Sequence, residues 1–153
     1  DVRDSDGFTP LMHAVARGQA ATARVLLDAG ARVNTRARGG LTPLMVAIAR
    51  GRSEVVPLLI ERGADVNAQS GAGWTPLTFA AWKGDPDAVR ILLDRGAKTA
   101  VADKQGWTPL DYATRQQSEP GAGRHSEVVP LLRAADRTLY RVVGEQPVRF
   151  EVR

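Results

Sequence analysis

The chain contains no cysteine, which excludes disulfides, thiolate nucleophiles and cysteine metal sites together. It fixes no compartment, because a chain without thiols tolerates oxidising and reducing surroundings alike. Histidine is nearly as scarce: His13 and His125 are the only two, far apart in sequence. The longest uncharged apolar-rich stretch, Leu41 to Ala49, is too short to cross a bilayer, so no membrane insertion is expected. Lysine is almost absent, with 3 against 18 arginines, a bias that points to a GC-rich, bacterial genome. Neither an initiating methionine nor a charged-then-apolar leader is present. Asp1 is therefore read as a trimmed or processed end. A cytoplasmic location is favoured, and a periplasmic one follows if a leader was removed before Asp1.

What is present is ordinary for a folded chain of 153 residues, with 43% hydrophobic and 25% charged residues. The formal charge of +4 is spread over the chain. Nucleic-acid binding usually leaves a clustered basic stripe, so it is not expected. It stays as a rival that predicts affinity falling steeply with salt.

Internal repetition decides the fold. Thr9-Pro10-Leu11 recurs as Thr42-Pro43-Leu44, Thr75-Pro76-Leu77 and Thr108-Pro109-Leu110, in steps of 33 residues. Glycines stay in phase two residues before each threonine (Gly7, Gly40, Gly73, Gly106), after a short alanine-rich segment (Gly18, Gly51, Gly84), and after the leucine pairs (Gly30, Gly63, Gly96). Each unit reads as helix, tight turn, helix and extended loop. Proline suits a first helical turn, where its missing N–H costs nothing, and the preceding threonine can cap the helix. Ser53, Asp85 and Ser126 are the expected N-caps of the second helices. Val55, Val56, Leu58 and Leu59 form the apolar face of one such helix, and Val89, Ile91, Leu92 and Leu93 that of the next. No such pair could bury its apolar face alone, so neighbours must stack into one core.

The motif from Gly73 to Gly84 and the run from Glu54 to Asn67 resemble the ankyrin repeat, whose signature combines G-x-TPLH with a later GADVN. The resemblance covers residues 4–133 as units of about 4–34, 35–67, 68–100 and 101–133. It implies an all-α solenoid of stacked helix-turn-helix units, monomeric, that binds another protein through its concave face and loop tips. The alternative is a regulatory domain of a larger enzyme or transporter that packs on its own neighbouring domain. The sequence departs from the family where Met12, Met45, Thr78 and Asp111 replace the histidine of TPLH, so that residue's bonds between units are unavailable. Pro57 and Pro130, in the first turn or so of their helices, each cost a ladder bond. Seven residues are inserted near 118–124, a Pro/Gly-rich loop.

The ends look unlike caps. Ala20, Ala21 and Ala23 cross the second helix of the first unit, and Asp1-Val2-Arg3 resembles the end of a preceding unit's loop. An earlier unit, removed or supplied by a partner, is weighed equally against alanines tolerated at an edge. In the tail, 134–153, Leu139 to Val143 and Val148 to Val152 are β-favouring, with Val148, Phe150 and Val152 alternating with charged residues. A hairpin that caps the last unit is expected, the start of a further domain being the alternative.

No catalytic constellation is legible. HExxH, EF-hand, Walker and Gly-x-Ser-x-Gly patterns are all missing, so neither catalytic nor metal-binding residues, and no cofactor, are expected. His13 reads as a packed helix residue and His125 as part of the inserted loop. Candidate binding residues instead fall in columns. Phe8, Leu41, Trp74 and Trp107 each precede the threonine, and Arg17, Arg50 and Lys83 precede the first-helix glycine, with Gln116 in the fourth unit. Trp82 lies beside Lys83 where Ala16, Ala49 and Arg115 match it, so it has less structural reason to be there. A shared groove would be aromatic on one wall and cationic on the other, suiting an acidic or aromatic-bearing protein segment. The plainer reading gives these columns only packing and solubility.

Overall fold

The computed structural model describes residues 2–118 and 124–142, with side chains described through residue 136. Among the described residues there are eight α-helices and no strands. The inner helices are α1 (Pro10–Ala16), α3 (Pro43–Ala49), α5 (Pro76–Lys83) and α7 (Pro109–Gln117); the outer ones are α2 (Ala20–Asp28), α4 (Val56–Glu61), α6 (Pro86–Asp94) and α8 (His125–Val142). Inner helices stack on one another in sequence order, and each outer helix backs its own inner partner. Leu11, Leu44, Ile48, Leu59, Leu77, Leu92 and Leu132 are fully buried in one continuous core. This is the all-α solenoid expected from the repeat.

Every inner helix begins as the Thr-Pro pair predicts. Thr9, Thr42, Thr75 and Thr108 accept a hydrogen bond from the amide three residues on. In the third and fourth units Thr78 and Asp111, two of the residues replacing the TPLH histidine, bond back to the threonine amide and complete a capping box. Asp85 caps α6 as expected, accepting from the Ala88 amide. Ser53 does not cap: α4 starts at Val56, and Ser53 Oγ donates across the unit boundary to Asp85 at 2.8 Å. Ser126 lies inside α8, which already begins at His125. Pro57 sits within the first two positions of α4, where its N–H would be unpaired anyway, so it costs nothing there. Pro130 lies inside α8 and does remove a ladder bond.

Other side chains take over the polar joints between units. Asn34 donates to the Gly63 carbonyl and accepts from the Asp65 amide, and Asn67 repeats both bonds to Gly96 and Lys98. Arg3 and Arg36 reach the carbonyls of Arg36 and Gln69, and Arg52 Nε reaches that of Ala16. Backbone bonds join successive loop tips, from Arg38 to Asp6, Gly71 to Gly39 and Lys104 to Ala72. The asparagine rungs stop after Asn67. Their next position is Ala100, and α8 continues through Val142 where earlier outer helices turn into a loop. Beside Ala100, Thr99 Oγ1 is buried without a hydrogen-bond partner among the described residues.

The tail departs from expectation. Leu139 to Val142, expected in a strand, are the last residues of α8, because the amphipathic pattern of that helix runs on past residue 133 with no glycine to end it. Val148 to Val152 and the insert around 119–123 lie outside the described residues.

Candidate interaction surface

The inner helices and the loops that precede them present one face. At its amino-terminal end Asp4, Asp6, Phe8, His13, Ala16, Arg17 and Arg50 line a shallow hollow of about 330 Å³. Of the two columns, Phe8, Arg17 and Arg50 share this hollow, beside the carboxylates of Asp4 and Asp6. Phe8 and Leu41 are half-buried and pack on the core, while Arg17, Arg50 and Lys83 are exposed. None of these three cations has a carboxylate within 4.0 Å among the described residues, whereas Arg62, Arg90 and Arg124 on the outer side are paired with Asp28, Asp87 and Glu127. Arg24 and Arg95 also have no carboxylate within 4.0 Å among the described residues, so alignment along the inner helices is what distinguishes the row. Gln116, its fourth member, is half-buried.

At the other end the aromatics gather. Trp74 contacts Phe79 edge-on with ring centroids 5.0 Å apart, Tyr112 at 4.7 Å and Trp82 at 6.0 Å. Trp107 joins through Tyr112 at 5.3 Å, and the Arg115 guanidinium lies 5.2 Å over the Trp107 ring. Trp82 is 41% exposed and forms the outer edge of this wall. Phe79, Tyr112, Arg115 and Asp103 are members that sequence reasoning missed. Phe79 and Tyr112 share the register of His13, which was read only as packing.

Beneath the wall lies Asp103, 8% exposed. Its Oδ2 accepts from Trp74 Nε1 at 3.0 Å and from the Tyr112 hydroxyl at 2.6 Å. Its Oδ1 accepts from the amides of Gln105 and Trp107. Burial alone would raise its pKa, but the bonds from Tyr112, the two amides and Trp74 together hold it below the ordinary carboxylate value. Burial, and next the bond to Asp103, push the Tyr112 hydroxyl up, so it stays a donor. Three periods earlier Asp4 is built alike, with Oδ1 on the Asp6 and Phe8 amides and Oδ2 on His13 Nε2 at 2.9 Å. The amide of Phe8, above all, lowers the Asp4 pKa.

Both histidines differ from their sequence reading. His13 is exposed, because its carboxylate partner draws it out over Phe8 at a centroid distance of 5.5 Å. His125 is not in the loop: it is buried at the start of α8, and its Nε2 donates to the Trp82 carbonyl at 2.9 Å. The insert ends before it, which puts His125 in the register of Arg52, whose Nε makes the same bond to Ala16. Among the described residues, no group of three His, Asp or Glu side chains could hold a metal ion, and no helix is long and apolar enough to cross a membrane.

Residues 1–70 match a family model of ankyrin repeats in three copies, and residues 51–93 match a second ankyrin-repeat model. The chain matches no curated protein. Ankyrin repeats are protein–protein interaction modules, and the matched region carries the first three of the four helix pairs described above. By these matches and by its helical stack, the chain belongs to the ankyrin-repeat family.

Proposed function

We propose that this chain is a non-enzymatic interaction module whose inner-helix face takes an acidic protein segment bearing a large apolar anchor. The observation that carries this is Trp82: an indole 41% exposed, in ring contact with Trp74 and next in sequence to Lys83, an exposed cation with no carboxylate within 4.0 Å among the described residues. Leaving so large an apolar side chain in water is unfavourable unless a partner covers it, and aromatic anchors beside cations are frequent hot spots. The aligned Arg17, Arg50 and Lys83 supply charge complementary to carboxylates.

The test is affinity capture from source-cell lysate with the wild-type chain and a Trp82→Ala/Lys83→Glu variant. A protein held by the first and released by the second supports the reading. If both hold the same proteins, the surface assignment is wrong. A captured species that is nuclease-sensitive, and released steeply by sodium chloride, makes the surface a nucleic-acid platform instead.

A second reading, a regulatory domain packed on a neighbour, is favoured by one observation. Val2 is 81% and Val25 66% exposed, whereas Leu58, one period after Val25, is 5% exposed. The outward face of the first unit has the apolar character of a covered one. Sedimentation and limited proteolysis of the full polypeptide, with and without Val25→Glu, test it; equal protection of both forms rules it out.

A further inference from the structure

We propose that Asp103 is the positioning residue of the aromatic wall: through one oxygen it holds Trp74 of the third unit and Tyr112 of the fourth in a single arrangement, and that arrangement is what recognises the apolar anchor of an acidic peptide. The inference rests on the peptide-binding reading above.

The two oxygens of this carboxylate do different work. Oδ1 serves the local turn, on the Gln105 and Trp107 amides, as Asp4 Oδ1 serves its own turn in the first unit. Oδ2 serves the wall, and its Trp74 donor comes from the preceding unit. The pairing is specific to this boundary. Phe8 and Leu41, the earlier members of the Trp74 column, have no side-chain donor, and Ala37 and Ser70, in the Asp103 register, have no carboxylate. Ser70 keeps only the turn bond, to the Trp74 amide.

The consequence for recognition is preorganisation. Trp74 sits at the centre of the wall, touching Phe79, Trp82 and Tyr112. An indole at the base of a loop has two free side-chain torsions, and fixing them before binding removes an ordering cost from the association. A buried carboxylate does this better than a neutral acceptor, since bonds to an ionised acceptor are shorter and stronger.

Asp103→Asn separates the two roles. The amide oxygen can keep the turn, while the NH₂ group then meets the Trp74 N–H donor to donor. Tyr112→Phe removes one bond and keeps the ring. The first readout needs no ligand: the Trp74 indole proton, assigned with Trp74→Phe, followed by NMR for shift and exchange with solvent. The second is the affinity of a short, labelled Asp/Glu-rich peptide with a central phenylalanine, beside the same peptide with glycine and a single-stranded oligonucleotide.

Wild type is expected to protect the Trp74 indole proton and to prefer the phenylalanine peptide. Asp103→Asn is expected to lose the protection and weaken that peptide roughly tenfold, about 1.4 kcal/mol, while its circular dichroism stays that of wild type. An unchanged indole signal in Asp103→Asn overturns the proposal. So does an unchanged affinity when Trp82→Ala/Lys83→Glu does abolish binding, and in that case the interaction reading itself survives. If wild type ignores both peptides, or prefers the oligonucleotide, the acidic-partner reading falls and takes the recognition part with it.

Discussion

The backbone carbonyl of Trp82 accepts its hydrogen bond from His125, a buried imidazole of the next unit, so the most exposed ring of the aromatic wall is seated from behind. His125→Ala leaves that carbonyl without its donor and opens space under α8. We expect a loss of about 1–3 kcal/mol, read by urea unfolding, as for a buried polar group stripped of its partner. A loss within experimental error would mean that water replaces the imidazole at no cost.

The same imidazole makes Gly84 unusually intolerant. Gly84 and Gly51 both close an inner helix at positive φ, where a side chain costs about 1–2 kcal/mol. A β-carbon at Gly84 would stand 2.6 Å from His125 Cε1, whereas at Gly51 the nearest atom is the end of the Lys83 side chain at 3.9 Å. Gly84→Ala should therefore lower the melting temperature clearly more than Gly51→Ala. The double variant Gly84→Ala/His125→Ala should cost less than the sum of its parts.

Acid should weaken the fold through Asp103. Its folded pKa lies below its unfolded one, near 3.9, so its contribution is fully present above that value and is lost as pH falls through the folded value. Stability is thus expected to decline from about pH 4 downward, and the Asp103→Asn profile to be flatter there. Asp4 and Glu127, also lowered, act in the same direction and are common to both proteins. Denaturant unfolding at a series of pH values gives the difference; parallel profiles would deny Asp103 this role.

Burial separates two substitutions of similar chemistry. Leu92 is fully buried between units, and Leu92→Ala should cost roughly 2–5 kcal/mol. Trp82→Ala removes a larger side chain, yet one that is 41% exposed at the edge of the wall, and the melting temperature should barely move. Thermal unfolding of the two variants side by side decides this. A loss at Trp82 as large as at Leu92 would make that tryptophan a core residue.

Much of this molecule was legible because its units repeat. Thr-Pro-Leu in register gave the inner helices and their caps, and the leucine pairs gave the core, since both follow from local chemistry copied at fixed intervals. The misreadings fall where a residue acts across a boundary. Ser53 has the chemistry of a cap but finds Asp85 in the next unit closer, and His125 looks like loop sequence because the insert shifts it out of phase. At the candidate surface, the columns of Trp74 and of Lys83 could be read from phase alone. Asp103 could not, because its turn-forming role is satisfied locally and nothing in its neighbours shows that its second oxygen reaches back to an indole 29 residues earlier.

The asparagine rungs end at Ala100, while the loop tips stay joined, by Lys104 to Ala72 and by Asp103 to Trp74. The boundary between the third and fourth units therefore lacks its asparagine rung but is tied at the loop tips and again at the start of α8, by His125 to the Trp82 carbonyl and by Arg124 to Asp87. Strain on this joint is thus shared between its two ends, the loop tips and the start of α8, and the stretch beside Ala100 carries none of it through a side-chain rung. The aromatic wall, built from both units, lies between those two ties and is held from each side.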